Sequence, residues 1–371
     1  MNPQVPVGSA GGPGDRGGDR DTISESLQIG LGVFTGQIPA GSGRTAGDEY
    51  RDMLDLAQVA EEAGFDALWV SEHHGVDDGY LPSLNVALAA VAAVTERLKL
   101  GMAVALAPLQ HPIRFAEDCA VVDLLSGGRL IVGLGIGWRG EEFRAFDVPK
   151  SERVGRTIDL VNFCRLAWQG ERFSFEGRHF NAHDVAVTPA PEQSIPIMLG
   201  GAAPAALTRA GNLADGFIAS PHNDLPTYRR QVEAFDAAAD ASGRSERPLP
   251  VGFHVNAWVS SDGVFPEHVR RAIWSQMGKY LELHHIDDGL PLDAFPPVDD
   301  ELIDARSIIG DPSLVLESFL PWVSGFGAGR EQHVIVRLHH PGLALDEAAT
   351  AVRLFGEQVI PVLRQSARLQ P

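Results

Sequence analysis

Residues 66–74 read DALWVSEHH, a short apolar run followed directly by polar residues. Residues 66–70 form a short apolar run, long enough for a buried strand and too short for a helix. Apolar residues recur at helical spacing from Tyr50 to Ala60, and Gly64 is typical of the residue that ends such a helix. A helix followed by a buried strand indicates a parallel α/β sheet, in which ligands bind at the carboxyl ends of the strands.

Three polar residues, Glu72, His73 and His74, stand where this predicted strand ends. An imidazole can accept or return a proton near neutral pH, so a functional site is one interpretation. The other is that one histidine packs in the core while its neighbour lies in a solvated loop. The segment alone leaves both open. Glu72 is interpreted either as the group that orients the catalytic ring or as a cap of the following loop.

Composition narrows the class of protein. The chain has 371 residues, 44% of them hydrophobic, and a formal net charge of −19. That charge disfavours nucleic acid or an anionic membrane as a partner, because the long-range field repels both. The two cysteines, Cys119 and Cys164, are too few for a disulfide framework and predict a cytoplasmic location. No run of 18 apolar residues predicts a membrane span.

Strand-like and helix-like segments alternate along the chain. The predicted strands are 27–34, 66–70, 98–107, 129–134, 195–199, 216–220, 251–260 and 332–338. Eight such units predict an α/β fold, a single (β/α)8 TIM barrel over residues 26–371 with insertions at its C-terminal face. A doubly wound open sheet is the alternative. Residues 1–25 are expected to be a disordered tail, 172–187 a surface hairpin, and 264–309 an insertion or lid.

Glycine-rich turns follow two of these strands. Residues 133–137 read GLGIG, which lacks the spacing of a dinucleotide fingerprint and indicates either a tight turn or backbone lying close to a flat ligand. Residues 200–204 read GGAAP and lead into a helix that begins near Pro204. The free N–H groups of a helix start bind phosphate, although an ordinary turn has the same pattern. His339 and His340, before Pro341-Gly342, are interpreted as a structural turn.

These segments together resemble the bacterial luciferase-like flavin monooxygenases. The resemblance rests on WVSEHH at 69–74, the block from Arg97 to Pro149, and IPIMLGGAAPAALTRAGNLADGF at 195–217. It implies a (β/α)8 barrel that holds reduced FMN, or in sister branches a deazaflavin coenzyme, at the strands' C-terminal ends. In the flavin branch, reduced FMN reacts with O2 and oxygenates an aldehyde, ketone, alkane or similar small molecule.

The resemblance also implies roles for individual residues. His73 corresponds to the catalytic histidine of the family, and Glu72 and His74 belong to the same motif. Met102-Ala103 corresponds to a cis peptide under the flavin ring. Gly135 stands where the light-emitting enzyme has a reactive cysteine, which argues against light emission. The implied phosphate-binding residues are Gly200, Gly201, Ala202, Ala203 and Arg153.

The expected function is therefore that of a two-component monooxygenase, supplied with reduced FMN by a separate flavin reductase. The resemblance predicts a cytoplasmic homodimer or other homo-oligomer and no metal. A deazaflavin-dependent oxidoreductase of the same superfamily is the alternative within the class. A metal-dependent barrel hydrolase is disfavoured because no HxH, HExxH or cysteine ligand set occurs. A non-catalytic subunit that kept the barrel is the remaining alternative, which the intact His73 disfavours.

Overall fold

The computed structural model of the protein describes residues 27–221, 223–244, 248–288, 299–326 and 329–368. The predicted tail at 1–25 lies outside the described residues, as do residues 289–298 of the predicted insertion.

A closed barrel of eight parallel strands forms the centre of the protein. The described residues contain twelve strands in all, eight of the barrel and four others: β1 Leu27–Phe34, β2 Ala67–Val70, β3 Lys99–Met102, β4 Ala105–Leu106, β5 Leu130–Gly135, β6 Phe173–Glu176, β7 Asn181–Val185, β8 Ile197–Gly201, β9 Gly216–Ala219, β10 Val251–Val259, β11 Ser307–Gly310 and β12 Gln332–Arg337. Around the barrel the order is β1-β2-β3-β5-β8-β9-β10-β12, and β12 pairs with β1 to close it. The predicted (β/α)8 barrel is confirmed, and the open sheet is wrong.

Helices connect the strands on the outside of the barrel. They are α1 Ala46–Glu62, α2 Leu84–Val94, α3 Pro112–Ser126, α4 Gly140–Ala145, α5 Arg153–Ala167, α6 Pro204–Leu213, α7 Leu225–Ala241, α8 Glu267–Asp288, α9 Asp300–Arg306, α10 Pro312–Val323, α11 Leu345–Gln358 and α12 Ile360–Arg368. Local sequence fixes several ends: Thr45 and Asp48 form a capping box at α1, and Gly127 ends α3 in the left-handed conformation. Their apolar faces pack on the strands and form the larger core.

Trp69 of β2 fills the inside of the barrel. Its side chain is fully buried within a second apolar cluster, with residues such as Ile131 and Ile335. The strands on both sides leave room for the indole, since a Cβ on Gly30 or Gly101 would lie only 2.4 or 2.2 Å from Trp69 atoms. The barrel is thus a packed core rather than a pore, and ligands must bind above Trp69 at the carboxyl ends of the strands.

Two features outside the barrel wall bear on the site. The predicted hairpin at 172–187 is present as the antiparallel pair β6–β7. The insertion at 264–309 contains α8 and α9, and it also contains a strand that the sequence did not indicate, β11. This strand pairs with the end of β10 from Asn256 to Val259 and lengthens that part of the wall. The described part of the insertion brings Tyr280 of α8 to the carboxyl end of β2, as described below.

Candidate active site

His73 is held by a buried carboxylate from another loop. Its Nδ1 lies 2.8 Å from Oε1 of Glu142, and the side chains are 6% and 0% exposed. The pKa of Glu142 is lowered, because its hydrogen bond and attraction to His73 and His74 outweigh the effect of burial. The ionised carboxylate only accepts hydrogen bonds, so Nδ1 of His73 carries the proton. The other ring nitrogen, Nε2, has no hydrogen-bond partner among the described residues and can accept a proton from a ligand.

Three donors converge on one oxygen of Glu142. Besides His73, Oε1 accepts hydrogen bonds from the backbone N–H of His74 at 2.9 Å and from Nη1 of Arg139 at 3.4 Å. Arg139 is 2% exposed and also donates to the carbonyl of His74 and to the carboxylate of Glu141. The carboxylate is therefore fixed from several sides, and it in turn fixes the ring of His73.

Glu72 belongs to a second pair, with His74 rather than His73. Its Oε1 lies 2.6 Å from Nε2 of His74, and its Oε2 accepts the backbone N–H of Leu106 at 2.7 Å. Gln110 adds a further donor at 2.9 Å. The prediction that Glu72 orients the ring of His73 is wrong, because Glu142 is bonded to that ring and Glu72 is bonded to His74. Glu72 and His74 line a separate outer cleft of about 650 Å³ beside α2 and α3.

Aromatic rings enclose His73. Tyr80 meets it edge-on, with the two ring centroids 4.7 Å apart, and Trp138 and Tyr280 lie 6.0 and 5.9 Å away. The hydroxyls of Tyr80 and Tyr280 are hydrogen bonded to each other at 2.6 Å. Burial raises the pKa of both phenols, so both stay protonated at neutral pH. Part of the insertion thus covers the histidine and keeps water from it.

The strands β3, β5 and β8 end side by side around Val104. The non-proline cis bond joins Ala103 and Val104, one residue after the predicted Met102-Ala103 position. A Cβ on Gly135 would lie 2.5 Å from the Val104 side chain, and one on Gly200 would lie 3.2 Å from it. Both glycines therefore border Val104, whose side chain takes the space that a Cβ would need. Ala103 and Gly135, which were predicted to lie near the ring, thus lie at the same strand ends, with Gly200 of the predicted phosphate loop beside them.

The predicted phosphate loop follows β8. Ala202 and Ala203 are exposed, and α6 begins at Pro204 with proline in its first turn, as predicted. The pKa of Arg209 on α6 is lowered, mainly by burial and in addition by repulsion from the positive charge of Arg153 at the start of α5. These two cations therefore lie close together. Neither has an ion pair with any residue that the structure describes. The exposed start of α6 fits a phosphate group, while a role for Arg153 in holding it stays a prediction.

Another buried arginine, besides Arg139, lies at the end of β12. Arg337 is 2% exposed, and its Nε and Nη2 both donate to the carbonyl of Val33, at 3.0 and 2.6 Å. Its Nη1 is buried without a hydrogen-bond partner. His339 and His340 follow it, and burial, with repulsion from Arg337, lowers the pKa of each to about 3. They are neutral, buried side chains, which agrees with the structural role expected of them.

Sequence reasoning missed the residues that complete this site. Glu142 is separated from His73 by a long stretch of chain, and only the acidic pair Glu141-Glu142 after the glycine-rich turn marked it. Tyr80 and Tyr280 had no motif around them. Arg337 did carry a signal, since it is a charged residue inside an apolar strand pattern.

Two further features are absent from the described residues, a metal-binding cluster and a membrane-spanning helix. Within residues 27–221, 223–244, 248–288, 299–326 and 329–368, no group of three or more histidine, cysteine or acidic side chains is placed to hold a metal ion. No helix in these ranges is long and apolar enough to cross a membrane.

Comparison with known proteins gives the class of the enzyme. The luciferase-like monooxygenase family matches residues 29–328, and the chain belongs to that family. The chain is 27% identical to an F420-dependent glucose-6-phosphate dehydrogenase of Kineococcus radiotolerans, over 93% of this chain and 99% of that one. It is 26% identical to the enzyme of the same description from Microbacterium testaceum, over 88% of this chain and 98% of that one.

Solved structures show the same fold. A monooxygenase from Streptomyces bottropensis superposes with a TM-score of 0.74 at 24% identity, covering 90% of this chain and 99% of that one. An F420-dependent secondary alcohol dehydrogenase gives 0.71 at 17% identity, covering 91% and 98%. A Baeyer-Villiger monooxygenase of Pseudomonas putida in complex with FMN has the same fold, with a TM-score of 0.70 at 19% identity, covering 91% and 98%. The protein is therefore a barrel enzyme of the luciferase-like family, and the curated proteins similar to it include F420-dependent dehydrogenases.

Proposed function

We propose that the protein is a deazaflavin-dependent oxidoreductase that oxidises a hydroxyl group of a small organic substrate to a carbonyl. The similarity to F420-dependent dehydrogenases over nearly the whole chain favours this alternative over the monooxygenase that uses reduced FMN and O2. A monooxygenase that uses reduced FMN would also require a flavin reductase as its partner, whereas a deazaflavin-dependent dehydrogenase would not.

The observation that carries the proposal is the buried pair of His73 and Glu142. Oxidising an alcohol removes a hydride from carbon and a proton from oxygen. His73 accepts that proton at Nε2, because Nδ1 already carries one and donates it to Glu142. The carboxylate then stabilises the imidazolium that results, as a buried acid does for the histidine base of other enzymes.

The residues of the barrel mouth fit the cofactor. A bound deazaflavin supplies the two-electron acceptor for the hydride. Gly135 and Gly200 both lie against Val104, at the end of the barrel where its ring would bind. The backbone at Ala202 and Ala203, with Arg153, would hold the phosphate of its side chain. The aromatic rings around His73 exclude water, which keeps the proton with the histidine.

Anaerobic and aerobic assays with two cofactors test the proposal. We expect the purified protein to bind F420 tightly and to reduce it with a subset of sugar phosphates, sugars and simple secondary alcohols, seen as loss of the cofactor's visible absorbance. Oxygen should not be required. Tight binding of reduced FMN, with oxygen uptake coupled to product and no F420 turnover, would return the protein to the monooxygenase branch.

Adjacent histidines provide a matched pair of variants. His73→Asn should lower the rate of F420 reduction at least about a hundredfold, since general base catalysis contributes roughly 10²–10⁴. F420 affinity should stay within threefold. His74→Asn removes a ring that pairs with Glu72 in the outer cleft and should cost less than tenfold. Equal losses in the two variants would argue against His73 as the proton acceptor.

A further inference from the structure

Arg337 is a buried cation without a counterion. No carboxylate of any described residue forms an ion pair with it, and burial lowers the pKa of its guanidinium group. Two of its nitrogens share one acceptor, the carbonyl of Val33, and Nη1 has none. Burying an arginine in this way is unfavourable unless another group completes its hydrogen bonds. Such an arrangement points to a ligand.

The position of Arg337 defines where that ligand would lie. Side chains alternate along a strand, and Ile335 of β12 faces the barrel interior, so Arg337, two residues on, faces inward above it. Going either way around the barrel, β12 lies four strands from β5, which carries Gly135. Arg337 is therefore on the wall opposite the surface proposed for the cofactor ring, on the side where a substrate would enter.

Asn256 lies beside it with two further unpaired groups. It is in register with Arg337 across the parallel pair β10–β12, so both side chains point to the same face of the wall. Asn256 is 1% exposed, and neither its amide nitrogen nor its oxygen has a hydrogen-bond partner. One guanidinium nitrogen and one amide nitrogen, neither with a hydrogen-bond partner among the described residues, are thus presented together on the inner face of the wall. Donors of this kind recognise oxyanions.

We propose that Arg337 and Asn256 bind an oxyanion carried by the substrate, a carboxylate or a phosphate, at the inner wall of the barrel mouth. The proposal rests on the proposed function, because it takes the substrate's hydroxyl to lie at His73. His73 follows β2, which lies two strands from β12 in the barrel order, so both ends of such a substrate would lie within the same barrel mouth. The substrate would be a small hydroxylated organic anion.

Equilibrium binding to the protein without cofactor tests the site independently of turnover. Inorganic phosphate and propionate are the probes, titrated calorimetrically into wild type, Arg337→Gln and Arg330→Gln. Arg330 is the matched control, equally buried but paired with Asp236 at 2.7 Å. We expect Arg337→Gln to weaken one or both probes roughly ten- to a hundredfold, as the loss of a charged hydrogen bond does. Arg330→Gln should leave them unchanged.

Two further variants remove the remaining ambiguities. Phosphate can also bind at the proposed cofactor site, and Arg153→Gln should weaken that contribution while leaving the Arg337 site intact. Asn256→Leu removes the unpaired amide without breaking a hydrogen bond. It should therefore keep or raise the free energy of unfolding while weakening the anion. If Arg337→Gln and Asn256→Leu both bind the probes as wild type does, the proposal is wrong.

Turnover distinguishes the kind of anion. Each candidate is paired with a neutral counterpart: a hydroxy acid with its amide, and a sugar phosphate with the free sugar. Wild type should prefer one anion at least about tenfold in kcat/KM, and Arg337→Gln should lose that preference with little change for the neutral compound. A preference that persists in Arg337→Gln overturns the proposal. If F420 is not reduced by any compound, the proposed function fails, but the binding difference at Arg337 still decides the anion site.

Discussion

Replacing Glu142 by glutamine isolates the charge behind His73. Three donors converge on Oε1, from His73, His74 and Arg139, whereas Oε2 is buried without a partner. The side-chain oxygen of the glutamine should therefore take the place of Oε1 and its NH2 group the place of Oε2. In the opposite orientation the NH2 group would face three hydrogen-bond donors. The Nδ1 proton of His73 then stays where it is, and only the negative charge is lost.

The size of the effect follows from Coulomb's law. A carboxylate and an imidazolium whose charge centres are ~4 Å apart attract by about 4 kcal/mol at an effective dielectric constant near 20. A neutral amide oxygen keeps a hydrogen bond that contributes about 1 kcal/mol. The remaining difference of about 3 kcal/mol is lost when His73 becomes protonated. Each 1.36 kcal/mol is tenfold in rate, so F420 reduction should slow by about a hundredfold.

The assay is single-turnover reduction of F420 with a saturating alcohol substrate, alongside F420 affinity and urea unfolding. Glu141→Gln is the control, since Glu141 also pairs with Arg139 but is 43% exposed and does not touch His73. It should change the rate less than threefold. A Glu142→Gln rate within threefold of wild type, with F420 affinity intact, would refute the view that this carboxylate supports proton transfer.

Three further outcomes can be measured. Burial holds the pKa of His339 at about 3 rather than 6.5, so the folded protein binds fewer protons than the unfolded one, and stability falls as the pH drops from 6.5 towards 3. Between pH 8 and about pH 5, the wild-type protein should lose about 2 kcal/mol of unfolding free energy through His339. His339→Phe keeps the stacking on Phe34 and should abolish that part of the loss. Ala202→Asp should weaken F420 roughly a hundredfold relative to Ala202→Asn by repulsion of the phosphate, but should spare a deazaflavin lacking phosphate. Gly101→Val places its Cβ 2.2 Å from Trp69 and should lower the unfolding free energy by about 1–3 kcal/mol or more in urea titrations.

The sequence predicted the elements whose pattern is local. β1 was predicted at Leu27–Phe34 from a short segment in which apolar residues alternate with Gln28 and two glycines, and that is where the structure has it. β11 was missed because SIIG is four residues long and lies in a segment rich in proline and aspartate. The start of α6 at Pro204 was predicted because proline and the glycines before it act on the neighbouring backbone alone.

The candidate site was predicted only where a motif lies at one strand end. His73 and the loop after β8 met that condition. Glu142 did not, since its contact with His73 depends on how the loop after β5 folds back over β2. The same reason explains why Glu72 was assigned to the wrong histidine: adjacency in sequence suggested His73, but the backbone turn directs Glu72 towards His74.

The two histidine–carboxylate pairs differ in a way that bears on mechanism. Glu72 is occupied by backbone and side-chain donors on the outer side of the barrel, so its pairing with His74 holds the loop after β2 to β4. Glu142 instead holds His73 with one ring nitrogen left for a ligand. At the end of β12, Arg337 forms no ion pair with a carboxylate of the described residues, although the chain has 49 acidic residues and a net charge of −19. At physiological ionic strength that overall charge is screened beyond about 8 Å, whereas a buried guanidinium is not. The position of Arg337 therefore favours an anion inside the barrel mouth even though the surface as a whole repels one.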